Sequence, residues 1–85
     1  MEENVISMEV VNPQAAGIDV GSRSHWVAVG QKEEDVREFG VFNEDLFIMA
    51  DWLQSKQVKT VAMESTGTYW QNLYAILLSR GFLVV

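Results

Sequence analysis

Asp19 and Glu64 are the two residues whose type and placement suggest chemistry. Asp19 stands inside the apolar run Ala15-Ala16-Gly17-Ile18-Asp19-Val20, and Glu64 follows the run Val61-Ala62-Met63. Each run reads as a strand. If the two strands are parallel neighbours, both carboxylates come to one end of the sheet, with the strands about 4.8 Å apart. Alternation sets Asp19 on the face opposite Ile18 and Val20. Two apposed carboxylates are costly unless one is protonated or a cation lies between them. Mg²⁺ or Mn²⁺, hard cations that take oxygen ligands, are the natural partners. Such a metal orients phosphodiester oxygens and activates an attacking water or hydroxyl. Both residues also have plainer readings. An Asp beside a turn commonly accepts backbone hydrogen bonds, and a Glu before Ser-Thr-Gly is commonly a loop residue. Spacing by itself leaves the two readings open.

Weaker candidates cluster around Glu64. Ser65, Thr66 and Thr68 fall between a strand and a helix, where hydroxyl and amide groups can receive a phosphate, although capping the helix is the commoner role. Tyr69 and Trp70 are candidates for stacking on a nucleic-acid base. With Trp26 and Trp52 they are more simply read as core or interface residues. His25 reads as a packed or surface residue rather than a catalytic one, and Glu33-Glu34-Asp35 as a solvated turn.

The elements that must position these residues follow from pattern. Residues 1–14 form a polar leader closed by Asn12-Pro13, whose proline biases against helix. A first strand is expected over Ala15–Gly21 and a second over His25–Val29, joined closely enough for a hairpin. Gln31–Asp35 is a polar turn, and Val36–Val41 alternates as a third, edge-like strand. Asn43 is a candidate cap for a helix over Glu44–Gln57, with Leu46, Met49, Ala50 and Leu53 on one stripe. A fourth strand, Val58–Met63, ends at Glu64. Ser65-Thr66-Gly67 is a turn able to cap a second helix over Tyr69–Arg80, with Tyr69, Leu73, Ile76 and Leu77 inward and Gly81 as its stop. Phe82–Val85 begins a fifth strand. Short early links allow an antiparallel meander, and the helical links imply parallel crossovers, so the class is α/β with a mixed sheet.

Composition narrows the setting. Of the 85 residues, 48% are hydrophobic and 21% charged, which excludes disorder and fits one small domain. No apolar run approaches 18 residues, so no membrane span or membrane partner is expected. The acidic start MEENVISMEV is unlike a signal peptide. The absence of cysteine excludes disulfides, thiolate nucleophiles and Cys-type zinc sites, and the single His25 excludes a multi-histidine site. A net charge of −6 argues against nucleic-acid binding by this segment in isolation. A metal-dependent nuclease nevertheless needs acids at its centre and can keep its basic grip elsewhere. The chain closes on the apolar run GFLVV, so it is expected to be a piece of something longer.

The stretch GIDVGSRSHWVAV, followed by VAMESTGTYWQNLYAILLSRGF, resembles the N-terminal part of DEDD-type transposases of bacterial insertion sequences, the family that includes the Piv DNA invertase. The resemblance runs from Ala15 to Val85, and its most specific piece is Met63-Glu64-Ser65-Thr66-Gly67 with Tyr69-Trp70. It implies an RNase H-like, RuvC-like mixed sheet of strand order 3-2-1-4-5 with crossover helices, residues 15–85 being the N-terminal part of the catalytic domain. Asp19 matches the first acid of the family's Asp-Glu-Asp-Asp set and Glu64 the second. The other two would fall beyond Val85. The resemblance further implies Mg²⁺- or Mn²⁺-dependent DNA cleavage and joining by a full-length protein in the bacterial cytoplasm. A guide RNA in part of the family and a homo-oligomeric assembly come with it. This segment alone is expected to be inactive and not to bind the metal.

Two other readings compete. Gly-Ile-Asp-Val-Gly-Ser before a hairpin also looks like the first phosphate loop of the actin, Hsp70 and sugar-kinase ATPases, although Glu64 before Ser-Thr-Gly fits that pattern poorly. The apolar end Phe82–Val85 would equally suit a non-enzymatic truncated module that pairs with a partner through an open sheet edge.

Overall fold

A computed structural model of the chain describes residues 14–30, 35–65 and 67–85. The leader expected over 1–14 lies outside the described residues except for Gln14, as do residues 31–34 of the polar turn and Thr66. The elements are β1 (Ala15–Val20), β2 (His25–Val29), β3 (Val36–Phe39), α1 (Asn43–Ser55), β4 (Thr60–Ser65), α2 (Gln71–Ser79) and β5 (Leu83–Val84). They form one five-stranded sheet of order β3-β2-β1-β4-β5. The pairs β1–β2 and β2–β3 are antiparallel, and β1–β4 and β4–β5 are parallel. This is the mixed sheet of RNase H-like order that the sequence led us to expect, with its parallel half centred on β1 and β4.

Hydrophobic pattern explains which face of the sheet is covered. Ile18 and Val20 of β1, Val27 and Val29 of β2 and Val61 of β4 share one cluster with Leu46, Met49, Ala50 and Leu53 of α1 and Leu73, Ile76 and Leu77 of α2. Both helices therefore pack on the same side of the sheet. Each fully buried aliphatic side chain contributes about 1.5–3 kcal/mol relative to exposure. The opposite face carries no layer among the described residues and leaves Trp26, Val36, Leu83 and Val85 exposed.

Local chemistry sets the helix ends. Asp45 reaches back so that its carboxylate accepts the Phe42 N–H at 3.2 Å, and Glu44 and Asp45 lie in the positive first turn of α1. The expected cap shifts by one residue: Asn43 is the first helical residue and Phe42 the cap position. Beyond α1, Gln57 adopts φ 62 and ends the helix before Val58. At the end of α2, Gly81 takes φ 89 while the Phe82 N–H returns to the Leu77 carbonyl at 3.1 Å, the left-handed stop that glycine permits.

Several boundaries differ from expectation. The third strand stops at Phe39, because the chain must turn at Gly40–Phe42 to enter α1. β4 starts at Thr60 rather than Val58 and runs one residue past the expected end at Glu64, to Ser65. α2 starts at Gln71, so Tyr69 is outside it and exposed rather than on the inward stripe. Trp70 is its cap position and no side chain caps it. The Ser-Thr-Gly turn is occupied with itself: the Gly67 N–H donates to Ser65 Oγ, and that hydroxyl donates to the Gly67 carbonyl, each at 3.3 Å.

Candidate active site

β1 is a central strand with one covered face and one open face, which accounts for an acid in an apolar run. Ile18 and Val20 enter the core, whereas Asp19 between them points to the open side and is exposed. In the parallel pairing of β1 with β4, Asp19 is the register partner of Glu64. In-register neighbours point to the same face, so the two carboxylates rise side by side from strands whose backbones lie about 4.8 Å apart. Each is the penultimate residue of its strand, which puts the pair at the carboxyl end of the parallel half of the sheet. Sites of open α/β sheets form at that end.

The register carries the row further. Trp26 pairs with Asp19 on the other side, and Glu38 pairs with Trp26, giving Glu38, Trp26, Asp19 and Glu64 across four strands. The row below it is Val36, Ala28, Gly17 and Ala62. The small residues of the lower row leave a hollow of about 200 Å³ that Asp19, Glu64 and Trp26 overlook. Trp26 is 48% exposed, so it belongs to this open face and not to the core. Trp52, by contrast, packs against the core and stacks at a tilt on Phe39, centroids 5.5 Å apart.

Among the described residues neither Asp19 nor Glu64 has a hydrogen-bond or ion-pair partner. The backbone-acceptor reading of Asp19 therefore finds no support. Two unpartnered oxygen donors side by side form an incomplete ligand set for a hard cation. Among the described residues no third His, Cys, Asp or Glu joins them in a metal-sized group; Glu38 is separated from Asp19 by the strand that carries Trp26. The donor chemistry fits Mg²⁺ or Mn²⁺, and two carboxylates leave most positions of an octahedral ion to be filled by other donors.

The remaining candidates lie elsewhere. Ser65 follows Glu64 in β4 and so points to the opposite face, where a separate hollow is bounded by Met63, Ser65, Trp70 and Tyr74. Trp70 meets Tyr74 edge-on at 5.8 Å. Thr68 and Tyr69 border a third hollow with Ser22, His25 and Asn72 beyond the end of the sheet. Tyr69 is 56% exposed and Trp70 37%, so both are surface aromatics rather than core residues. Thr66 lies outside the described residues.

Two residues gain weight that sequence reasoning did not give them. Trp26 stands directly beside Asp19; counting back from a tight β1–β2 turn, in which Val20 opposes His25, would have found it. His25 is 2% exposed, and its Nδ1 accepts the Gly21 N–H at 3.2 Å. Burial lowers its pKa below the ordinary 6.5, which favours the neutral ring.

The transposase family model of the IS110-type DEDD class matches residues 16–85, well over half of the chain. Among curated proteins, none matches the chain. The matched span takes in β1 from Ala16 onward, the other four strands and both helices described above, with Asp19 and Glu64 at register-paired positions inside it, and on that match the chain belongs to the IS110-type DEDD transposase family.

Proposed function

We propose that Asp19 and Glu64 are two of the acidic ligands of a divalent metal centre that cleaves and joins DNA strands, and that the complete transposase draws the remaining ligands from outside these residues. The observation that carries this reading is the Asp19–Glu64 register pair: two exposed carboxylates, unpartnered among the described residues, in one row at the carboxyl end of parallel strands. Bound there, Mg²⁺ or Mn²⁺ supplies Lewis-acid activation of an attacking water or hydroxyl and charge stabilisation of the phosphodiester. The chain's own part is to hold two carboxylate oxygens in fixed relation. β1 and β4 suit that task, because both are internal strands hydrogen-bonded on both sides. The net charge of −6 supports a reading in which the basic contacts to DNA come from other parts of the protein. Half a ligand set also makes this segment inactive by itself. Ser65, Thr68, Tyr69 and Trp70, around the same end of the sheet, belong to this proposal as nucleic-acid contacts, and Thr66 is proposed as one from its place in the sequence. So do a guide RNA, a homo-oligomeric assembly and the bacterial cytoplasm as the place of action.

The test is strand cleavage and joining by an intact transposase that contains this segment. Loss of an outer-shell partner costs about 10–100-fold, and removal of a ligand itself costs more. Asp19→Asn and Glu64→Gln are therefore expected to lower activity by more than about a hundredfold with folding, read by circular dichroism, unchanged. Full activity in either folded variant would refute the assignment.

A further inference from the structure

We infer that His25 is a positioning residue for Asp19: from the covered face it fixes the end of β1 whose open face presents the carboxylate. This inference rests on the metal-ligand reading of Asp19 proposed above. His25 is the one buried polar side chain among the described residues. An imidazole in such a place is costly unless its nitrogens are partnered. Its Nδ1 accepts the N–H of Gly21 at 3.2 Å, so the ring proton sits on Nε2. Gly21 is the first residue after β1, and His25 is the register partner of Val20, the last residue of β1. The side chain thus bonds across the mouth of the turn and closes it at that register.

The turn has a second constraint. A Cβ at position 21 would lie 2.5 Å from the Ser24 carbonyl oxygen, a backbone atom that cannot yield without moving the turn. The bare glycine lets the two ends approach, and the imidazole then takes up the N–H exposed by the approach. Register matters here because a one-residue slip of β1 against β2 would turn Asp19 into the core and Val20 outward. It would also remove Trp26 from its place opposite Asp19. His25 touches none of the open-face residues directly in its hydrogen bonding; its effect on Asp19 passes through the Val20–Gly21 backbone.

The experiment compares His25→Leu, which keeps apolar bulk but offers no acceptor, with His25→Asn, whose Oδ1 falls near the Nδ1 position. Amide hydrogen exchange at Gly21 is read by NMR on the 85-residue chain, and the metal dependence of cleavage on an intact transposase. His25→Leu is expected to speed Gly21 exchange about tenfold, the ratio an ordinary hydrogen bond sustains. It is also expected to raise the half-saturating Mg²⁺ concentration by up to about tenfold, the most that loss of one ordinary hydrogen bond can pass on through the backbone, with the rate at saturating Mg²⁺ held within about twofold. His25→Asn is expected to restore both. If His25→Leu frees Gly21 while the Mg²⁺ requirement stays as in the wild type, and Asp19→Asn still abolishes cleavage, His25 is merely structural and the inference is overturned with the ligand reading intact. Wild-type cleavage by Asp19→Asn would overturn the ligand reading and this inference with it.

Discussion

Replacing Asp19 by Asn should stabilise the metal-free chain while destroying the site. Asp19 and Glu64 are register partners, both exposed, with no cation paired to either among the described residues. At about 5 Å two like charges repel by about 0.8 kcal/mol in water and about 3 kcal/mol at an effective dielectric of 20. Exposure puts this pair near the lower value, and a Debye length of about 8 Å at physiological salt trims it further. Asp19→Asn or Glu64→Gln should therefore each raise stability by about 0.4–0.8 kcal/mol, or about 2–6 °C in Tm for a domain of this size. The double variant should gain no more than either single one, since the repulsion is removed once. Glu38→Gln, with the Trp26 strand between it and Asp19, should change stability by only about 0.2 kcal/mol. The assay is thermal unfolding in EDTA, followed by circular dichroism at low and high salt, with the gain shrinking as salt rises. Loss of stability in both single variants, or fully additive gains in the double one, would refute the reasoning.

Other outcomes follow from the packing. Leu53 is fully buried, so Leu53→Ala should cost about 2–5 kcal/mol, read as a fall in the urea midpoint. Gly21→Ala meets the Ser24 carbonyl oxygen at 2.5 Å and should cost about 1–3 kcal/mol by the same measurement. Asp51 pairs with Arg80 at 2.7 Å but is 68% exposed, so Asp51→Ala should stay within about 0.5 kcal/mol of the wild type. Because burial lowers the His25 pKa, the unfolded chain binds the proton more readily than the folded one. The His25 contribution should be complete above about pH 6.5 and decline as pH falls through that value toward the lower folded pKa. Urea titrations between neutral and mildly acidic pH should show that slope reduced in His25→Leu.

Legibility of the fold depended on whether a feature is local. The stripe Leu46, Met49, Ala50 and Leu53 has helical spacing, and all four are buried against the sheet. The alternation around Asp19 correctly separated it from Ile18 and Val20. Tyr69 failed because its spacing from Leu73 continues the stripe, while the Ser65–Gly67 hydrogen bonds and the following turn delay the helix to Gln71. Trp26 failed for a different reason. Its hydrophobicity says that it prefers burial, yet which face of a sheet receives the helices is decided by all the strands together. The same limit applied to His25, whose hydrogen bond to Gly21 exists only once the β1–β2 turn has closed. For the candidate site, the two carboxylates were readable from their strands, whereas their register pairing required the crossover through α1 that brings β4 beside β1.

The central claim is that Asp19 binds the catalytic metal, and a change of ligand softness at that position tests it most directly. A cysteine thiolate binds Mg²⁺ poorly and softer divalent ions well. An intact transposase carrying Asp19→Cys should lose DNA cleavage in Mg²⁺ and regain it when the thiophilic ion Cd²⁺ is added, while the wild type is active in Mg²⁺. Undiminished cleavage by Asp19→Cys in Mg²⁺ would contradict the account.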